Sequence, residues 1–393
     1  MTNWQQLVQR ALENLRSPDA AVRSDAALSL GKLEAEDAPQ ELVGRAIEAL
    51  SRILDDPDEY VRKSAVHALG RLRHRDARAL EGIRFALGDR SEQVVQEAIA
   101  QILQSPDPGA VDGLIRVLGR RERTLQTAAV EALKKIGPPA VRPLLETVRD
   151  RTARRRVQNL ALRIILEMRG RAIEPLLTAL TTEENFHVRE SAVALLCRLG
   201  DERVIEPLIR LFVTDPRLQE AIVSHLPRLE ERGVIEPASG DREAQLAPQV
   251  AMAFRRLASP ETEQSLVAAL AHPNPKVRKF AMRALFEVAG PRAKEHLLRL
   301  LEDEDVDVRR IAIKLLGKLH DKSVIEPLLA VLTKGAGQLE ETIWNTIKVL
   351  TDLREYEALR SRIARERAGV PAKPTVRVFK GRDVSADWWR DQD

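Results

Sequence analysis

One short pattern, repeated, restricts what this chain can become. Starting at Val61, an apolar residue is followed by a small residue four positions on, an apolar residue at +8 and another at +11. The pattern returns at Val22, Val94, Leu125, Val157, Val188, Leu218, Leu246, Val277, Val308 and Leu339. The first spacing is 39 residues and all others lie between 28 and 33. Steps of four, four and three stay on one face of a 3.6-residue helix. Position +4 is alanine in eight of the eleven units, from Ala26 and Ala65 to Ala281 and Ala312, which lets a neighbouring helix come close. Position +8 is always apolar, and +11 is apolar in every unit except at Ser105.

The helix ends follow the same period. Three residues before the pivot, Asp19, Asp58, Ser91, Asn185, Asp215, Asn274 and Asp305 can accept a hydrogen bond from an orphan backbone N–H. Gly137, Gly170, Gly200 and Gly290 follow the last apolar position, where a left-handed residue ends a helix. A second helix is announced by "AIEPLL" at 172–177, "VIEPLI" at 204–209 and "VIEPLL" at 324–329. Its proline falls in the first turn, where the missing donor goes unused. The pattern predicts an all-α chain, a right-handed α-solenoid of about eleven helix pairs. The expected organisation is a capping helix at 1–16, repeats over 17–367 and an extended tail at 368–393. With only 3% aromatic residues, the core must be built from Leu, Ile, Val and Ala.

"DPDEYVRKSAVHALGRL" at 56–72 and "DEDVDVRRIAIKLLGKL" at 303–319 resemble HEAT repeats, in the short variety also found in phycobilin lyases and many bacterial scaffold proteins. The resemblance covers about residues 17–367 and implies the fold. HEAT arrays serve scaffolds, chaperone-like lyases, hydroxylases and some DNA glycosylases, so the resemblance does not choose a function.

The residues that might carry chemistry read as structural ones. His67 lies between two apolar positions of the pattern and is expected on a helix surface. The seven histidines form no His-x-x-x-His or His-Glu pair, which sets aside the iron-binding hydroxylases of similar fold. One cysteine and scattered histidines give no zinc spacing. Cys197 falls at +9, equivalent to Gly31, Gly70 and Gly317, and is expected to be a buried thiol. Neither a glycine-rich phosphate loop nor a nucleophile elbow is present. No catalytic residue, metal or cofactor is therefore expected. Arg23, Arg62, Arg189, Arg278 and Arg309 follow their pivots and are expected to form a ladder with the Asp and Asn caps. The apolar runs are too short to span a membrane, and the first residues lack a signal-peptide core. A single cysteine fits a reducing, cytoplasmic setting.

Function is sought where units depart from their consensus. Residues 116–171 hold fifteen Arg/Lys against five Asp/Glu, while 34–59 hold nine acids and two arginines. Within the basic stretch, Arg154 stands where other units carry a cap, with Arg155 and Arg156 next. Cations at a helix start oppose its dipole, costing about 0.3–1 kcal/mol each. Arg116, Arg120, Arg121, Arg142, Arg149, Arg154, Arg155 and Arg156 are thus candidate partner-binding residues. At 230–245, "EERGVIEPASGDREAQ" announces a second helix and then breaks it, which predicts a shortened helix or a hinge. In the tail, Trp388 and Trp389 are candidate anchors for a groove of this protein or of a partner.

The leading expectation is a non-catalytic scaffold or adaptor that docks a protein through its second-helix row. Binding of nucleic acid or another polyanion by 116–171 is the alternative; aromatics for base stacking are nearly absent there, so such binding would ignore sequence. A third reading, attachment of a bilin chromophore to a partner, is permitted by the repeat type, but no residue identifies a site for it.

Overall fold

The computed structural model describes residues 3–150, 152–237 and 244–368. Among these residues there is no strand, and no helix is long and apolar enough to cross a membrane. The helices are all short. They begin with α1 (Asn3–Asn14), α2 (Ala20–Leu30), α3 (Gln40–Arg52), α4 (Glu59–Leu72), α5 (Arg78–Ala86) and α6 (Glu92–Gln104). Next come α7 (Val111–Leu118), α8 (Arg123–Ile136), α9 (Val141–Arg149), α10 (Arg155–Met168) and α11 (Ile173–Thr182). Then follow α12 (Phe186–Leu199), α13 (Ile205–Thr214), α14 (Gln219–His225), α15 (Pro227–Glu231) and α16 (Pro248–Arg256). The series ends with α17 (Pro260–Ala269), α18 (Pro275–Ala289), α19 (Lys294–Arg299), α20 (Val306–Lys318), α21 (Ile325–Gly335), α22 (Glu340–Leu350) and α23 (Leu353–Arg367).

Helices α1–α16 form one compact unit and α17–α23 another. In the first, the pattern-bearing helices pack in sequence, α2 on α4, α4 on α6, α6 on α8 and α8 on α10. The second repeats the arrangement, with α18 on α20 and α20 on α22. This is an all-α solenoid of stacked helix pairs. All eight pattern alanines are at most 3% exposed, and every residue at +8 is buried. Close approach is visible at +9 as well. A Cβ added to Gly31 would lie 3.3 Å from the Ala68 Cα, and one on Gly317 would lie 2.8 Å from the Thr346 Cγ2.

The caps form as expected with one exception. Asp19, Asp58, Asn185, Asp215, Asn274 and Asp305 each accept a backbone N–H two residues ahead. Ser91 occupies the cap position but makes no cap bond; its hydroxyl donates to Glu59 of the preceding repeat at 2.5 Å. The glycine stops also need one correction. Gly137, Gly200 and Gly290 adopt positive φ, whereas at 169–170 it is Arg169, not Gly170, that does so, with φ 51°. Residues 232–237 carry no helix, so "VIEP" at 234–237 does not start one there as it does in α11, α13 and α21.

Candidate binding edge

The arginine after each pivot organises the turn between successive repeats. Arg62 reaches back with Nη1 to the carbonyls of Asp56 and Pro57, 2.7 and 3.2 Å away. Its Nε and Nη2 fork onto both carboxylate oxygens of Asp89 in the next repeat, at 2.8 and 3.0 Å. Arg23 does the same with Ser17, Pro18 and Asp56. In the other unit, Arg278 holds His272, Pro273 and Asp303. The ladder therefore exists, but its acid is not the expected cap. It is the aspartate two residues earlier, which also accepts the backbone N–H of the capping residue. The cap residue's own side chain accepts from the helix end. Arg189 is the exception, pairing with the cap Asp215 at 2.6 Å. Arg309 keeps the backward bonds, to Asp303 and Glu304.

Between Asp89 and Arg189 the ladder stops, and this is the basic stretch. The post-pivot arginine is replaced by Val95, Gln126 and Gln158. The glutamines still satisfy the turn, Gln126 donating to the Arg120 carbonyl and Gln158 to that of Asp150. They send no cation to the next repeat, so no carboxylate is needed to receive one. Arg120 and Thr152 occupy the corresponding positions. Arg120 donates instead to the Asp89 carbonyl. Where Asp56, Asp89 and Asp303 stand in their turns, the turn before α8 has Arg120 and the turn before α10 has Thr152, with Arg154 at the cap.

These two turns are neighbours. Arg154 Nη1 lies 3.4 Å from the Gly119 carbonyl, and Arg156 donates to the Gln126 side chain. Arg154 sits at the N-cap of α10 without making a cap bond. Arg116, Arg121, Arg123 and Arg155 are exposed and have no ion pair or side-chain hydrogen bond among the described residues. Arg123, which no departure from the repeat marks in the sequence, stands at the start of α8 as Arg155 does on α10. Arg142 and Arg149 do not share this freedom. Arg142 Nε lies 2.6 Å from Glu183 and 3.3 Å from Glu146, and Arg149 contacts Glu190 and Ser191. Trp388 and Trp389 lie outside the described residues.

The acidic stretch is different in kind. Glu34 binds Arg71, Asp37 accepts the Trp4 indole N–H at 3.1 Å, Asp56 binds Arg23, and Asp58 caps α4. These four side chains have structural partners, whereas Glu36, Glu41 and Asp55 are exposed without an ion pair among the described residues.

The residues read as structural occupy structural positions. Cys197 is fully buried, and burial pushes its thiol up to about 12. His67 is about half exposed and lies 3.0 Å from Glu97. No group of three or more potential metal ligands occurs among the described residues.

Repeated helix pairs joined by such turns define an α-solenoid protein. The family described as HEAT repeats matches residues 6–104, 80–163, 233–311 and 263–345, and the PBS lyase HEAT-like repeat matches 188–214. The chain belongs to the HEAT-repeat family. No curated protein matches the sequence. Among solved structures, an engineered protein is 19% identical over 89% of this chain and 99% of its own, with a TM-score of 0.35. The CpcE–CpcF complex of phycocyanin lyase from a Nostoc species is 22% identical over 63% of this chain and 92% of that one, with a TM-score of 0.30. Importin beta is 15% identical, covering 92% and 57%, with a TM-score of 0.37.

Proposed function

We propose that this protein is a non-catalytic adaptor and that the arginine-lined turns before α8 and α10 dock an acidic segment of a protein partner. The observation that supports this is the pair of neighbouring turns where the ladder is replaced by uncharged glutamines and where Arg121, Arg123 and Arg155 have no ion pair or side-chain hydrogen bond among the described residues. Guanidinium groups suit carboxylates because their forked donors bind both oxygens at once. Fixed on helix starts, they are also partly pre-organised. This reading places the docking surface on the turns rather than along the second-helix row.

Binding of nucleic acid or another polyanion is the second reading, favoured by the same arginines. Residues 116–171 contain no Phe, Tyr or Trp, so stacking would contribute nothing and contacts to phosphate would have to supply all the affinity. Bilin attachment rests on the repeat type alone.

Replacing Arg121, Arg123 and Arg155 with glutamate is expected to abolish partner capture while leaving the melting temperature within about 2 °C, because surface changes of this kind stay within about 0.5 kcal/mol. The measurement is capture from extract of the native organism by the unaltered and substituted proteins, with and without nuclease. A protein retained through nuclease treatment and lost with the substitutions supports the adaptor reading. Capture that disappears with nuclease supports the polyanion reading. Equal capture by both proteins removes the edge from consideration. Changing Arg154, Arg155 and Arg156 to Asp, Ala and Glu should weaken the same partner and, by removing cations from a helix start, slightly stabilise the fold.

A further inference from the structure

Exposed apolar surface is concentrated at the last helix pair. Among the described residues, the two most exposed large apolar side chains are Leu353 at 71% and Val349 at 64%. They stand four positions apart across the turn joining α22 to α23. Helix α23 buries only Ile363. Beside the turn, Trp344 and Tyr356 meet edge to face with centroids 5.7 Å apart, and the Arg360 guanidinium lies 5.8 and 5.9 Å from their centroids. A groove of about 460 Å³ between α20 and α22 runs up to Val349, with Thr342, Asn345 and Thr346 along it. Lys348 and Arg354 flank the two apolar residues and have no ion pair or side-chain hydrogen bond among the described residues. The patch is thus apolar at its centre and carries charges of both signs at its rim, since Asp352 precedes Leu353 and Glu341 lines the groove.

We propose that residues 383–393 of the same chain, "DVSADWWRDQD", cover this patch, with Trp388 and Trp389 on Val349 and Leu353. The occupant matches in two respects. Two adjacent indoles supply a large apolar area, each with one N–H that the polar groove wall can accept. The tether is long enough, since Ala368 follows α23 about 20 Å from Leu353 and the twenty residues from there to Trp388 can reach about 60 Å when extended. A segment on the same chain also needs no association step, so even a modest contact area is occupied at a high effective concentration. The proposal is independent of the arginine-lined turns.

Tryptophan emission tests it. Subtracting the spectrum of the Trp388→Phe/Trp389→Phe protein from that of the unaltered chain isolates these two indoles from Trp4 and Trp344. The expected difference spectrum is blue-shifted, independent of protein concentration, and moved to the red by Leu353→Asp or Val349→Asp. Both positions are exposed, so neither change should impair folding. Deleting 383–393 should raise amide exchange in α22 and α23 without lowering the helical content of the solenoid. A difference spectrum typical of indole in water overturns the proposal. So does a blue shift that survives both aspartate substitutions, or one that appears only as the chain self-associates.

Discussion

Arg62→Ala is expected to destabilise the unit that contains it by about 3 kcal/mol, seen as a lower urea midpoint with little change in slope. Arg62 is 4% exposed, and its side chain serves both the Asp56 and Pro57 carbonyls and the Asp89 carboxylate. Truncation leaves a nearly buried negative charge and two backbone acceptors without their donor. A double change, Arg62→Met with Asp89→Leu, should recover most of the loss, because an apolar pair removes the orphan charge along with its partner. If the single and double variants melt alike, the pair is not the source of the cost. The same rung predicts an acid transition. Burial raises the Asp89 carboxyl, but the Arg62 guanidinium and the Ser91 N–H outweigh it and hold it below the usual carboxylate range. Asp56 behaves likewise against Arg23 and the Asp58 N–H. In the other unit, the Ser323 N–H and Lys294 hold Asp321 at about 2. A depressed folded value means stability that is complete above the unfolded pKa of about 4 and lost as pH falls through the folded one. Urea midpoints should therefore fall on acidification below about pH 4, and Asp89→Asn should flatten that fall.

Ala192→Leu is expected to cost about 1–3 kcal/mol. The alanine has no exposed surface and lies on the face of α12 that packs on its neighbours, so three extra carbons must displace side chains already in contact. His67→Ala is the control. Its ring is about half exposed and its contact with Glu97 is at the surface, so the change should stay within about 0.5 kcal/mol. Thermal melts in the opposite order would mean that the buried face has been misassigned.

What the sequence revealed, and what it did not, follows from the range of the interactions. The alanines at +4 and the apolar residues at +8 specify packing by their spacing, and all of them are buried. Six of the seven caps also formed, since a cap needs only its own helix. At Ser91 the hydroxyl is turned to donate to Glu59 of the preceding repeat and accepts no helix N–H. The ladder's arginines are legible in the sequence but the acids that receive them are not, because the pairing runs between repeats and its geometry is not in the local spacing. The signal was present, however: Asp56, Asp89 and Asp303 each stand two residues before a cap. The basic stretch was found by counting charge. That Arg142 and Arg149 are paired while Arg121, Arg123 and Arg155 are not could be learned only from the structure.

The glutamine turns also bear on how an array of this kind can change length. A repeat that carries the forked arginine must be followed by one that carries the matching aspartate, so excising the unit that begins with Asp89 would strand Arg62 against whatever came next. Gln126 and Gln158 impose no such demand, because each satisfies only its own turn. They are neutral couplings between charged ones. A change of array length at α8 or α10 therefore breaks no arginine–aspartate rung, although a cut that removes α9 takes Arg142 from the nearly buried Glu183.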